Sequence, residues 1–68
     1  MGYRWFWARN NSTITCQTTG QTITQSFQWA MVGFKADGTI GAIRIGPLGG
    51  TSISEILIAG STTCAVPF

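Results

Sequence analysis

The dipeptide Asp37-Gly38 lies between two stretches, 22–36 and 39–45, in which apolar side chains fill alternate positions. Asp-Gly in this setting is a strong hairpin signal, because a two-residue loop requires positive φ at both of its central residues. We therefore predict a β-hairpin here, and the loop length fixes its register. The facing pairs are then Ala36 with Thr39, Phe34 with Gly41, Val32 with Ile43 and Ala30 with Ile45. This apolar face is expected to point inward.

The opposite face of the predicted hairpin is not cleanly polar. It places Lys35, Met31 and Trp29 against Ile40, Arg44 and Gly46. The rings of Trp29 and Phe34 are expected to cover strand glycines, which recovers packing that a glycine lacks. Trp29, Met31 and Ile40 would lie exposed in a single chain, and a contiguous apolar patch of this kind marks an interface.

The composition of the rest of the chain favours strands over helices. Thr, Ile, Gly, Trp and Phe dominate, and most of these residues prefer a pleated, half-buried surface. Turn residues recur at Asn10-Asn11, Gly20, Asp37-Gly38, Gly46-Pro47 and Gly49-Gly50. They delimit five predicted strands at 3–9, 13–18, 22–36, 39–45 and 52–59, with an edge at 64–68. The prediction is one all-β domain over residues 1–68, a small antiparallel sandwich or barrel.

Thr-Ile-Thr occurs twice, at 13–15 and at 22–24. The two copies are consistent with a hairpin whose strands mirror each other around Gly20. They are also consistent with a solenoid coil, although a solenoid needs at least three repeats.

Only six of the 68 residues are charged, and the chain has no histidine. General bases are most often histidines, and the two acids, Asp37 and Glu55, stand far apart in sequence, so we predict no catalytic residues. A structural zinc site needs four nitrogen or sulfur ligands, which this sequence does not supply, so no metal or cofactor is expected. The scattered cations predict no nucleic-acid partner, because phosphate binding requires a basic stripe. They are Arg4, Arg9, Lys35 and Arg44.

Tyr3, Trp5 and Trp7 alternate along the first predicted strand and therefore share one of its faces. Three interpretations are open. The rings pack in a core or a subunit interface, where aromatic residues contribute most area; they form a platform on which sugars stack; or they form a membrane-interface belt or a base-stacking surface.

Cys16 and Cys64 are the only cysteines. If they pair, the bond closes a loop over most of the chain, and loop entropy then contributes roughly 4 kcal/mol. The alternative is two buried free thiols. Glu55 has apolar neighbours in its predicted strand, so a partner for its charge is expected, and Arg44 is the natural one.

A small, charge-poor chain with apolar side chains on both faces of its strands is expected to form a homo-oligomer, because such surfaces otherwise invite aggregation. In composition it resembles the decoration or cement proteins of bacteriophage capsids and short tail-fibre domains. The resemblance implies a structural virion subunit, such as a capsid decoration or tail component, whose partners are copies of itself and a larger protein assembly.

The first residues carry no recognisable signal peptide, and no apolar run is long enough for a membrane helix, so a virion or extracellular assembly is expected and a membrane is not. One alternative function is a small carbohydrate-binding, lectin-like module that uses Tyr3, Trp5 or Trp7 as stacking rings. Another is a pore-forming oligomer that contributes β-hairpins to a membrane barrel.

Overall fold

The computed structural model describes residues 2–68 and contains five β-strands and no helix over that range. The strands are β1 (Arg4–Thr18), β2 (Gln21–Phe34), β3 (Ile40–Pro47), β4 (Ser54–Leu57) and β5 (Thr63–Ala65). They form an antiparallel sheet in the order β4-β3-β2-β1-β5. The sheet curls into a half-barrel. The all-β, five-stranded, antiparallel prediction is therefore confirmed at this level.

The predicted turn at Asn10-Asn11 is wrong, because β1 runs without interruption through both residues. The strand pairs with β2 on both sides of this point, as in Asn10 with Trp29 and Ser12 with Phe27. Asn11 does adopt a left-handed φ of 38°, which asparagine tolerates better than most residues. The predicted local preference for a left-handed φ is therefore present at Asn11, but because β2 pairs with β1 on both sides of it, the chain shows an irregularity within β1 and does not reverse.

β1 and β2 are joined by a tight hairpin at Thr19-Gly20, where both residues have positive φ. Thr18 pairs with Gln21, so the loop contains two residues, and positive φ at both of them is typical of a type I′ turn. The two Thr-Ile-Thr segments lie on neighbouring strands, with Thr15 facing Thr24. The hairpin interpretation is confirmed and the solenoid is excluded.

The hairpin between β2 and β3 has a three-residue loop over 36–38, so the predicted two-residue loop is wrong. The Gly38 N–H donates to the Lys35 carbonyl at 2.9 Å, and the Lys35 N–H donates to the Thr39 carbonyl at 2.7 Å. Of the loop residues only Gly38 has positive φ, at 88°, so Asp37 does not adopt the conformation that a two-residue loop would need.

The extra loop residue moves Phe34 opposite Ile40 instead of Gly41. A bulge at Gly41 then adds one residue to β3, and the two changes cancel. Beyond the bulge the predicted register is confirmed, with Val32 opposite Ile43 and Trp29 opposite Gly46. Ile40 consequently packs against the core with Phe34, and its predicted place on the outer face is wrong.

β4 is shorter than the predicted strand 52–59. Its pairing with β3 runs from Ala42 opposite Leu57 to Ile45 opposite Ser54. Continued pairing would bring residue 52 opposite Pro47, which has no N–H to donate, so the ladder stops. The predicted edge at 64–68 is present as the three-residue strand β5.

The core lies on the concave face of the sheet. Its buried cluster comprises Ile14, Phe27, Ala30, Val32, Ile43 and Ile45. Side chains from the two edges of the sheet, among them Ile56 and Val66, pack against this cluster. Cys16 and Cys64 face each other on β1 and β5 and form a disulfide with an S–S distance of 2.08 Å. The bond fastens the edge strand β5 to the sheet.

Candidate functional site: an aromatic outer face

Antiparallel pairing gathers the large outer side chains of four strands on the convex side of the sheet. Residues that face each other across strands share a face, and three rows follow from the register. They are Trp5–Gly33–Ala42–Leu57, Trp7–Met31–Arg44–Glu55 and Asn10–Trp29–Gly46. We call this surface, together with Tyr3, the aromatic face. The N-terminal rings and the hairpin tryptophan, which are separate in sequence, therefore belong to one surface.

Glycines let the rings lie flat on the sheet. A Cβ at Gly46 would overlap the indole of Trp29, which confirms the predicted ring-over-glycine pair. A Cβ at Gly33 would lie 3.0 Å from Cη2 of Trp5 and 2.9 Å from Cβ of Tyr3. These glycines are buried although they face outward, because the rings cover them. The rings are thus held close to the backbone in fixed positions.

Gly41 is covered by Tyr3 and Lys35, and not by Phe34 as the sequence predicts. The three-residue loop is the reason, since it places Phe34 opposite Ile40 instead of Gly41. Tyr3 also meets Trp5 edge to face, with ring centroids 5.8 Å apart. Edge-to-face contact is a favoured arrangement for two rings and orients both of them.

Arg44 is the central cation of the aromatic face. Its guanidinium carbon lies 4.0 Å from the centroid of the Trp5 ring, and its Nε donates to Oε1 of Glu55 at 2.8 Å. The ion pair expected from the sequence is therefore present, with side chains 43% and 40% exposed. At partly exposed sites each such contact contributes about 0.5–1 kcal/mol at most. Its main effect is to orient the Arg44 side chain.

Two large apolar side chains project from this face into solvent. Trp7 is 60% exposed and Leu57 is 55% exposed. Between them lie the half-buried side chains of Trp5, Met31 and Arg44. The face is therefore a broad apolar surface with one ion pair inside it.

The other half of the convex side has a different chemistry. Thr13 faces Ser26, Thr15 faces Thr24 and Gln17 faces Thr22. The hydroxyls of Thr15 and Thr24 are 3.2 Å apart and share a hydrogen bond. A shallow groove of about 370 Å³ lies at this end of the sheet, lined by hydroxyl and amide residues on both sides of Gly20. This surface is polar but uncharged.

The acids are both engaged in local contacts. The Thr39 hydroxyl donates to Oδ1 of Asp37 at 2.6 Å, and the Thr39 backbone N–H donates to the same atom at 3.0 Å. These contacts hold the pKa of Asp37 below its ordinary value, and the hydrogen bond from the Thr39 hydroxyl has a larger effect than the one from the Thr39 backbone.

Among residues 2–68 there is no group of three or more His, Cys, Asp or Glu side chains placed to hold a metal ion. No helix within that range could span a membrane.

Six of the seven candidate interface residues lie together on the aromatic face, and Ile40 lies on the core side. Those six are Tyr3, Trp5, Trp7, Trp29, Met31 and Arg44. Sequence reasoning did not include Leu57, which the pairing of β4 with β3 brings beside Ala42. Alternation along a strand puts Leu57 on one of its two sides, but only the strand order shows which surface it joins.

Comparisons of the chain with protein-family models, with curated proteins and with solved structures find no match.

Proposed function

We propose that this protein is a non-catalytic structural subunit that assembles with copies of itself through the aromatic face. The observation that carries the proposal is the clustering of Trp7 and Leu57, both more than half exposed, around the fixed rings of Trp5 and Trp29. A single chain leaves this surface in water. Burying it against a second copy removes apolar area from solvent, which stabilises the assembly by about 25 cal/mol per Å².

The residue types of the aromatic face favour a protein partner. The centres of protein interfaces are enriched in Trp, Tyr, Met and Arg and depleted of Lys and Asp. The aromatic face has this composition, and its one acid, Glu55, is paired with Arg44. Lys35 and Asp37 lie at the loop between β2 and β3, towards the rim. In this proposal two aromatic faces pack together, so that the sheets of two copies form a two-layer sandwich.

The larger assembly that this subunit would join is proposed from the composition of the chain, which resembles that of capsid decoration proteins and short tail-fibre domains. Decoration and tail subunits of virions work by adhesion and need no reactive groups, which agrees with a chain of six charges and no histidine. We therefore propose a virion or another extracellular assembly as the setting.

The test is the mass in solution of the wild type and of the double variant Trp7→Gln/Leu57→Gln, measured by light scattering on a size-exclusion column. Both substitutions add polar groups at exposed positions, so the fold is expected to remain. We expect a defined wild-type oligomer with blue-shifted tryptophan emission and a variant of smaller mass, because the variant loses the contact between aromatic faces. The matched control is Ile23→Gln/Leu48→Gln, which alters two similarly exposed apolar residues outside the aromatic face and should leave the oligomer intact.

A wild type that stays monomeric, with red-shifted tryptophan emission, would overturn the proposal. That result favours the second candidate, a carbohydrate-binding module. The observation behind this candidate is the exposed Trp7 ring in the same cross-strand row as the Arg44–Glu55 pair, since stacking rings with polar groups on the same surface are what sugars require. A glycan-binding screen with Trp7→Gln as the control would then test it.

A further inference from the structure

The C-terminal arm, residues 61–68, contains the shortest strand of the sheet, β5. Its strand β5 pairs only with β1, through Thr63 with Gln17, Cys64 with Cys16 and Ala65 with Thr15. As an edge strand it has no sheet neighbour on its other side. Three residue pairs hold few backbone hydrogen bonds, so this ladder alone binds the arm weakly.

Apart from one bond within its own turn, from the Thr62 N–H to the Ala59 carbonyl, the polar contacts of the arm end on β1 or on the turn that follows it. Ser61 shares a hydrogen bond of 2.8 Å with Thr19, and the Thr62 hydroxyl donates to that of Thr18 at 3.0 Å. Near the other end, Nη1 of Arg9 donates to the Pro67 carbonyl at 3.1 Å. Cys64 is bonded to Cys16. These contacts therefore all lie on one continuous segment of chain, residues 9–19, and Val66 of the arm packs in addition against the buried core cluster.

The point at which the arm leaves the body is a glycine turn. The Ile58 N–H donates to the Gly41 carbonyl at 2.9 Å, so residue 58 belongs to the body. Gly60 follows with a φ of 62°, and the Thr62 N–H donates to the Ala59 carbonyl at 3.1 Å. Glycine has the widest choice of φ, so the arm can take another direction by changing one or two residues.

We propose that the arm is exchanged between two copies of this chain, so that residues 61–68 of each copy lie on β1 of the other. The exchange regenerates the polar contacts and the disulfide, because they require only residues 9–19 of some copy, and the core of that copy receives Val66. Only the turn at Gly60, with its Thr62–Ala59 bond, changes. Exchange of an identical element is a low-cost route to a dimer. The inference rests on the proposed self-assembly, but it uses a surface separate from the aromatic face.

Closure of the disulfide makes the exchange permanent. The thiolate of one cysteine attacks a low-molecular-weight disulfide, forms a mixed disulfide and releases one small thiol; the second cysteine thiolate then displaces the other small thiol. Two protein thiols are oxidised and one small disulfide is reduced to two thiols. In the exchanged dimer this step joins Cys16 of each copy to Cys64 of the other, so the two chains are linked covalently at two places.

The experiment uses the unmodified chain in ¹⁴N and ¹⁵N forms, mixed in equal amounts, unfolded with reductant and refolded together with glutathione and its disulfide. After thiol blocking, tryptic cleavage gives a Cys16 peptide (residues 10–35) and a Cys64 peptide (residues 45–68). In randomly paired exchanged dimers, half of the Cys16–Cys64 peptide pairs carry two different isotopes. Peptide pairs that carry only one isotope would overturn the proposal.

Two variants distinguish a failure of arm exchange from a failure of assembly through the aromatic face. Gly60→Ala disfavours the positive φ of the unexchanged turn, which costs a residue with a side chain roughly 1 kcal/mol or more, so the equilibrium ratio of exchanged to unexchanged turns should rise about fivefold. Trp7→Gln/Leu57→Gln removes the aromatic contact and should leave isotope mixing unchanged. If mixing is absent while light scattering still shows an oligomer, the exchange is wrong and assembly through the aromatic face stands.

Discussion

The two halves of this sheet are stabilised by different means. The aromatic half comprises the start of β1 (residues 4–10), the end of β2 (residues 29–34), β3 and β4, and all six charged side chains lie in it or in the loop beside it. The threonine half comprises residues 12–18 and 21–27 with the C-terminal arm, and it contains no charged residue.

The aromatic half is held by burial. Five of the seven buried hydrophobic residues described in the structure belong to it. They are Ala30, Val32, Ala42, Ile43 and Ile45. Four of these five face the core, whereas Ala42 lies on the convex side, where rings also lie on glycines, as Trp29 does on Gly46. This half therefore packs side chains against both faces of its strands.

The threonine half is held by a covalent bond. It contributes Ile14 and Phe27 to the buried core, but its outer face carries short hydroxyl side chains that cover little area. The Cys16–Cys64 disulfide lies here, across the weakest pairing of the sheet. Small domains with limited burial commonly depend on such a cross-link. The disulfide therefore lies in the half of the sheet that has fewer buried hydrophobic residues.

The largest expected effect comes from removing the cross-link. Cys16→Ser/Cys64→Ser opens a loop with a sequence separation of 48 residues, and loop entropy assigns about 4 kcal/mol to that closure. This is a large part of the free energy of unfolding of a small domain, so urea denaturation should show a much lower midpoint. Hydrogen exchange should rise first in the threonine half. An equal rise in both halves would contradict the division.

An intermediate effect is expected from Gly46→Ala in the aromatic half. Replacing a strand glycine by alanine usually stabilises, but here the added Cβ overlaps the Trp29 indole, so we expect a loss of about 1–3 kcal/mol in thermal or urea unfolding. Gly2→Ala is the matched control, since its Cβ meets nothing within 4 Å. In a Trp29→Ala background the penalty of Gly46→Ala should largely disappear. An unchanged penalty would show that the ring is not its cause.

The smallest effect concerns charge, which only the aromatic half carries. The pKa of Asp37 is lowered in the folded state by its contacts with Thr39, so these contacts stabilise the loop fully at pH values above the ordinary carboxyl pKa. This stabilisation is lost as the pH falls through the lowered pKa. Thr39→Val removes the stronger of these contacts and should raise the pKa of Asp37 towards normal in an NMR titration. A pKa unchanged by the substitution would show that the hydroxyl is not the cause. Acid should leave hydrogen exchange in the threonine half unaffected.

The sequence predicted the strand content of both halves better than their turns. The assumed two-residue loop gave the correct pairing of Trp29 with Gly46, and a register slip of one residue would have destroyed the sorting of apolar residues. The loop at Asp37-Gly38 was predicted one residue too short, and the bulge at Gly41 restored the register. Turn residues report local φ preferences, as at Asn11, but whether the chain reverses depends on the partner strand.

The candidate site was predictable in its parts and not as a whole. Alternation alone placed Tyr3, Trp5 and Trp7 on one side of a strand. The position of that strand beside β2, which brings Trp7 next to Met31, is set by pairing between distant residues. Leu57 was missed for the same reason, since it reaches this surface only through β4.

The all-β class, the scarcity of charge and the faces of individual strands could be read from the sequence, because composition and a two-residue period act locally. Long-range pairing sets which strands are neighbours, which rings form one surface and whether the two cysteines meet. Those outcomes depend on contacts between residues far apart in the chain, such as Cys16 and Cys64. Their free energy comes from burial and loop closure in the folded sheet, and no local preference encodes it.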